Sequence, residues 1–172
     1  MNRFLITLIL APVFFTLGCS SKSMNPPAVT DLHSDIMIRV TDNNVDMANP
    51  PEWPQTGLPS LEAGNVQNQV FAIWVNSYRM HESVATHRAQ RMIDAYYNQL
   101  ALYPDRIRHA NSVAEARQIN RDGKIAGWLM IEGGAPIAND LAVLRNFHRL
   151  GVRGMTLTWS NNLLWAGSSS DS

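Results

Sequence analysis

Apolar positions along the chain follow two different periodicities. Val70 to Val75 is a nearly continuous apolar run, which predicts a strand covered on both faces. Ile125 to Ile131 is a second such run, and we also predict a first strand over Asp31 to Val40 and a last strand over Val152 to Trp159. Between Ser83 and Leu102, apolar residues instead recur at spacings of three and four, which predicts a long helix.

Two shorter helices complete the pattern. Ser112 and Glu115 form a capping-box sequence, so we predict a second helix from Ser112 that ends at Gly123. A third helix is predicted over Asp140 to Leu150. The alternation of strands with helices predicts an α/β fold built from parallel βαβ units.

The first 18 residues predict a lipoprotein signal peptide. A positive start is followed by an apolar run from Phe4 to Phe15, which is shorter than the roughly 20 residues of a membrane-spanning helix. Cys19 is the one cysteine of the chain, and the residues around it resemble a bacterial lipoprotein cleavage box. We therefore expect cleavage before Cys19 and a lipid attached to it; an ordinary signal peptide followed by a free cysteine is the alternative.

The anchor sets the expected location and partners. Residues 19–28 predict a flexible tether, and residues 29–172 predict one domain. Ser20, directly after the cysteine, indicates the outer membrane, with the domain facing the periplasm of a bacterial envelope. The net charge is zero and the arginines are scattered, so no nucleic-acid partner is predicted.

Three side chains suggest a metal site. His33 and Asp35 are two residues apart in the predicted first strand, so both side chains would point to one face and could converge on one ion. Glu132 follows the buried Ile125–Ile131 run and precedes two glycines, at the strand end where α/β barrels place their active sites. Taken singly, neither feature predicts a metal site, because a His-x-Asp pair often occurs by chance and a glutamate beside a turn is more often an exposed loop residue.

Four motifs follow one another along the chain: Asp-Leu-His-Ser-Asp at 31–35, Gly-Lys-Ile-Ala at 123–126, Ile-Glu-Gly-Gly at 131–134 and Leu-Gly-Val-Arg-Gly-Met-Thr-Leu-Thr at 150–158. In sequence and order they resemble the renal (membrane) dipeptidase family of zinc metallopeptidases. Asn161-Asn162 and Trp165-Ala166 continue the resemblance. It extends from about residue 30 to the end of the chain.

The resemblance implies a (β/α)₈ barrel that binds two zinc ions and hydrolyses dipeptides. On this basis His33 and Asp35 would bind the first ion, and Glu132 would bridge both. A water held between the metals would attack the peptide carbonyl that they polarise. Family members are often dimers, so a homodimer is a further expectation.

The chain departs from the family pattern in two respects. Trp159 stands where the family commonly has a histidine that stabilises the oxyanion, and we interpret Trp159 as a wall of the substrate pocket. The histidines that hold the second zinc, and an assisting aspartate, have no counterpart, so we expect the N-terminal part of a barrel, truncated and impaired in activity. We interpret the other histidines as surface residues; they are His81, His87, His109 and His148.

Two other functions are compatible with the sequence. The chain could be a non-catalytic envelope lipoprotein that keeps part of the dipeptidase fold as a binding or scaffold module. It could also be an exported α/β binding protein that uses no metal.

Overall fold

The computed structural model describes residues 27–52 and 56–170. Its strands are β1 (Val29–Asp31), β2 (Val66–Trp74), β3 (Ile107–His109), β4 (Ile125–Glu132) and β5 (Val152–Met155). Its α-helices are α1 (Ile36–Asn43), α2 (Leu58–Ala63), α3 (Glu82–Leu102), α4 (Val113–Arg121) and α5 (Leu141–Arg149), and 3₁₀ turns lie at Ser77–Arg79 and Ala135–Ile137. The signal peptide and the lipid attachment at Cys19 lie outside the described residues.

All five strands form one parallel sheet centred on β4. One edge of β4 pairs with β2, in a register that places Trp74 opposite Glu132. The other edge of β4 pairs first with β3 and then, further along, with β5. β1 pairs with β2. The predicted α/β fold with parallel βαβ units is therefore confirmed, while within the described residues the sheet does not close into a barrel.

The core lies on one face of this sheet. Phe71 and Ile73 of β2 and Leu129 and Ile131 of β4 are buried there with side chains of α1, α3 and α5. Successive strand residues point to opposite faces, so Ala126 and Trp128 face the other side, where α4 packs. Because Val70 and Trp74 on that side are only half-buried, β2 is less completely covered than its apolar run predicts.

The predicted first strand over Asp31 to Val40 is wrong beyond Asp31. The chain leaves the sheet after Asp31, and the residues from Ile36 onward form α1. Ile36, Met37 and Val40 are buried, at a spacing that places them on one helical face. The apolar, β-branched composition of this segment therefore misled the prediction.

The longer predicted elements are confirmed, with small differences at their ends. The predicted helix from Ser83 to Leu102 is α3, and the predicted helix from Asp140 to Leu150 is α5, capped by the Asp140 side chain. The last strand ends at Met155 rather than at Trp159. The prediction missed α2 and β3, which have six and three residues.

The predicted cap of α4 is present in a modified form. The Ser112 side chain accepts a hydrogen bond from the Glu115 backbone N–H at 3.2 Å. The Glu115 carboxylate accepts from the backbone N–H of Asn111 rather than that of Ser112. Gly123, with a φ of +75°, follows the helix as predicted.

Within the part of the chain that the structure describes, no helix combines the length and apolar character needed to cross a bilayer.

Candidate metal centre

The three predicted metal ligands lie at the carboxyl-terminal edge of the sheet. His33 and Asp35 belong to the loop that joins β1 to α1, and Glu132 is the last residue of β4. Parallel strands end at the same edge, so the loop after β1 and the end of β4 meet there even though β2 lies between them. The predicted convergence therefore occurs, but through a loop rather than through one face of a strand.

The loop after β1 is fixed to its surroundings by backbone hydrogen bonds. The Ala72 N–H of β2 donates to the Ser34 carbonyl at 2.9 Å, so the pairing of the two strands continues beyond β1. Ser34 is buried, and its hydroxyl accepts a hydrogen bond from the backbone N–H of Ile36. The His33 N–H donates to the Asp31 carboxylate at 3.1 Å. These contacts hold His33 and Asp35 beside the neighbouring strand.

The donor atoms of the three side chains lie close together. His33 Nε2 is 3.5 Å from Asp35 Oδ1 and 3.5 Å from Glu132 Oε2. One ligand atom from each residue can be chosen so that all lie within 4.8 Å of one another. Donors that share a zinc ion at about 2 Å can be at most about 4 Å apart, so a small rotation of the side chains would close the site. Among the described residues, this is the one group of at least three such side chains that converge in this way.

Burial and charge differ among the three ligands. The side chain of Glu132 is 20% exposed, while those of His33 and Asp35 are 44% and 56% exposed. Burial raises the pKa of the Glu132 carboxyl above its ordinary value, and smaller effects of His33 and Asp35 lower and raise it respectively. A divalent cation between the carboxylates would offset both burial and mutual repulsion, because it stabilises their charged forms. The donor set thus fits a metal ion in geometry and in chemistry.

The two glycines after Glu132 allow another loop to approach the centre. Gly133 has a φ of +81°, and a Cβ at this position would lie 3.1 Å from the Cβ of Trp159. A Cβ at Gly134 would lie 2.5 Å from the ring of Trp165. The Gly133 N–H donates to the Thr156 hydroxyl and the Gly134 N–H to the Leu157 carbonyl. The segment after β5 is therefore packed directly against the end of β4.

Trp159 lies in that segment, beside the glycine that follows Glu132. Its ring makes an edge-on contact with Trp74, with centroids 5.1 Å apart, and another with Tyr78 at 6.0 Å. Trp74 is the register partner of Glu132. The sequence analysis singled out Trp159 but missed Trp74 and Tyr78. Trp74 lies near the end of the long apolar run and Tyr78 follows it closely. Their position at the same strand end as the ligands was the available signal.

A separate cavity lies on the sheet face below the centre. Its volume is about 590 Å³, and its mostly apolar lining includes Leu32, Val70, Trp128 and Met130. The lining stops one or two residues before His33 and Glu132. The three potential ligands therefore lie at the rim of the sheet, outside the lining of this cavity.

The other histidines are placed largely as the sequence indicated. His81, His87 and His148 are exposed. The surface interpretation is wrong for His109, which is half-buried and lies 3.0 Å from the Tyr96 hydroxyl through Nδ1. His109 sits in β3, a strand that the sequence analysis did not predict.

Comparison with known proteins identifies the family. The model of the membrane dipeptidase family, peptidase family M19, matches residues 22–172. This chain belongs to that family. The family is one of metallopeptidases, so membership indicates metal use and agrees with the cluster of His33, Asp35 and Glu132.

Individual members of the family resemble only part of the chain and are themselves longer. Dipeptidase verJ of Clonostachys rogersoniana is 39% identical over 126 residues, 68% of this chain and 32% of that protein. Dipeptidase 3 of Macaca fascicularis is 35% identical over 115 residues, 67% of this chain and 22% of that protein. The structure of dipeptidase AC, an M19 metallopeptidase, matches with a TM-score of 0.70 at 25% identity, over 79% of this chain and 44% of that one. The chain thus spans between about a fifth and a third of the length of the curated relatives it matches.

Proposed function

We propose that this chain provides a zinc site for the hydrolysis of dipeptides. The observation that carries the proposal is the convergence of His33, Asp35 and Glu132 on one point at the end of a parallel sheet. Membership of the membrane dipeptidase family supports the reaction type and the substrate class. In a metal-free scaffold the same three side chains would form only ion pairs between His33 and the two carboxylates, and membership of a metallopeptidase family favours the metal site over that alternative.

Each ligand has a distinct proposed role. His33 and Asp35 hold the first ion from the loop after β1, whose backbone contacts restrict their movement. Glu132 has two carboxylate oxygens, so it can bridge two ions, as the family resemblance implies. Zinc held by His33, Asp35 and Glu132 would supply Lewis acidity for the hydrolysis of the peptide bond. Trp159 forms one wall beside the substrate and contributes no charge to the reaction.

A second ion needs further donors beside Glu132. Within the described residues, the three side chains of this cluster form the one candidate group. We therefore propose that the 172-residue chain by itself binds one zinc ion and turns over dipeptides slowly. Rapid zinc-dependent turnover of a dipeptide by the purified chain would contradict this.

The place of the protein in the cell is also a proposal. The residues around Cys19 support attachment of a lipid and location at the outer membrane, with the domain in the periplasm. Replacement of Cys19 by serine should release the protein from the membrane fraction into the soluble periplasmic fraction. Membrane association that persists in this variant would count against the lipid anchor.

Zinc titration followed by calorimetry tests the metal site. We expect the unaltered chain to bind zinc, and Asp35→Ala and Glu132→Gln each to weaken binding by about tenfold or more, because each removes a direct ligand. Asp105→Ala is the matched control. Its carboxylate is 97% exposed and lies before β3, at the opposite edge of the sheet. Equal zinc affinity in all four proteins would refute the proposed site.

A further inference from the structure

Three aromatic side chains form a continuous surface beside the candidate metal centre. We call Trp74, Tyr78 and Trp159 the aromatic wall. Trp159 contacts the other two rings edge-on, with interplanar angles of 69° to Trp74 and 71° to Tyr78. Trp159 remains 39% exposed and Tyr78 57% exposed. The wall therefore presents ring surface to a ligand.

Two contacts place the aromatic wall next to Glu132. One is the pairing of β2 with β4, and the other is the approach of Trp159 to Gly133. Trp74 is opposite Glu132 in the pairing of β2 with β4. The Cβ of Trp159 lies 3.1 Å from the position that a Cβ on Gly133 would occupy, directly after Glu132. A dipeptide whose peptide bond lies at the metal centre would thus have one of its side chains within reach of the wall.

Hydrogen bonds hold the wall in place before any ligand arrives. The Tyr78 hydroxyl donates to the Ser160 carbonyl at 2.5 Å, and the Ser77 hydroxyl donates to the Asn161 side-chain oxygen at 2.8 Å. The Ser168 hydroxyl donates to the carbonyl of Trp159 at 3.0 Å. The first two contacts join the segment after β2 to the segment after β5, and the third lies within the segment after β5. A prearranged surface loses less conformational entropy on binding, so it can discriminate between ligands.

We propose that the aromatic wall binds a substrate side chain and selects dipeptides that carry an aromatic or large apolar residue. This inference rests on the proposed dipeptidase function. Aromatic rings favour edge-on or offset contacts with a further ring and bury a large apolar area. A cationic side chain could also pack on the rings, but an aromatic side chain buries a larger apolar area against them.

Calorimetric binding of matched dipeptides to the zinc-loaded chain tests the proposal. The probes are Ala-Ala, Phe-Ala and Ala-Phe, so that either side-chain position is sampled. We expect one of the two Phe-containing peptides to bind about tenfold or more tightly than Ala-Ala, since burial of a large apolar side chain stabilises the complex. Trp159→Ala should remove this preference while its zinc affinity stays unchanged.

Two further variants separate the wall from general effects of the loop. Leu164→Ala is the control, because Leu164 belongs to the same segment and its side chain is 89% exposed. It should keep the full preference. Tyr78→Phe retains the ring but removes the hydrogen bond to Ser160, and we expect it to reduce the preference by less than Trp159→Ala does.

The outcomes distinguish this inference from the metal proposal. Zinc binding with no difference among the three peptides, or an undiminished preference in Trp159→Ala, would overturn the role of the wall alone. A preference for Phe-containing peptides in a chain that does not bind zinc would overturn the metal site and leave the wall supported.

Discussion

Gly133 occupies a position where the backbone conformation and the neighbouring residue Trp159 both disfavour a side chain. Its φ of +81° lies in the left-handed region, which is unfavourable for residues with a Cβ. The room above it is taken by Trp159. At the scale of single residues, the close approach of the aromatic wall to Glu132 therefore requires a glycine at position 133.

A pair of glycine substitutions separates these two effects. Gly123→Ala should cost about 1 kcal/mol of unfolding free energy, because Gly123 has a φ of +75° but nothing lies within 4 Å of its Cβ position. Gly133→Ala should cost about 1 kcal/mol more, because the new Cβ also displaces Trp159. Urea unfolding measures both values, and equal losses in the two variants would show that the contact with Trp159 has no energetic effect.

At the scale of elements, long segments with a clear period could be predicted and short segments could not. The 21-residue helix α3 and the strand β4 carry enough apolar repeats for the sequence to identify them. The three-residue strand β3 carries almost no pattern. The segment at α1 has the composition of a strand but is a helix, because its buried side chains Ile36, Met37 and Val40 pack on one side, an arrangement that tertiary contacts decide.

The sequence anticipated that three side chains converge, but not the local structure that carries two of them. The sequence identified His33, Asp35 and Glu132, since ligand chemistry and the family resemblance depend on residue type and order. It placed His33 and Asp35 on a strand, whereas they lie in a loop held by the contact between Ala72 and Ser34. Such a backbone contact leaves no trace in side-chain periodicity. The same holds for Tyr78, whose partner Ser160 is 82 positions away.

The cap of α4 gives a prediction at this scale. Ser112→Ala should lower the unfolding free energy by about 1 kcal/mol, because the N–H of Glu115 loses its acceptor. Ser112→Asp should retain most of the stability, since an aspartate side chain can accept the same hydrogen bond. Thermal unfolding followed by circular dichroism compares the three proteins. A similar loss in both variants would indicate that the hydroxyl has another role.

At the scale of the whole molecule, a polar network around His109 joins elements that are distant in sequence. His109 Nε2 lies 3.2 Å from the Asn111 side-chain oxygen, so this nitrogen carries the proton and Nδ1 accepts from the Tyr96 hydroxyl. Arg153 of β5 donates to the same Asn111 oxygen. The network thus links α3, β3 and β5 while the imidazole is neutral.

The network predicts a dependence of stability on pH. Burial lowers the pKa of His109 below its ordinary value of 6.5, with Arg153 also lowering it and Asn111 and Glu115 opposing. Below pH 6.5 the unfolded chain therefore binds the proton more readily, and stability is lost as the pH falls through the lower pKa of the folded state. His109→Gln should show a smaller loss of unfolding free energy between pH 7.5 and about 5.5. Identical pH profiles in urea unfolding would exclude His109 as the cause.

The separation of the metal ligands along the chain has a mechanical consequence. β1 is a three-residue strand with Asp31 as its last residue, and the loop that carries His33 follows it, whereas Glu132 ends the central strand, about 100 residues later. An ion bound by both His33 and Glu132 would act as a cross-link between β1, at the edge of the sheet, and β4, at its centre. Removal of the ion by a chelator would then loosen β1 while the centre of the sheet stayed intact.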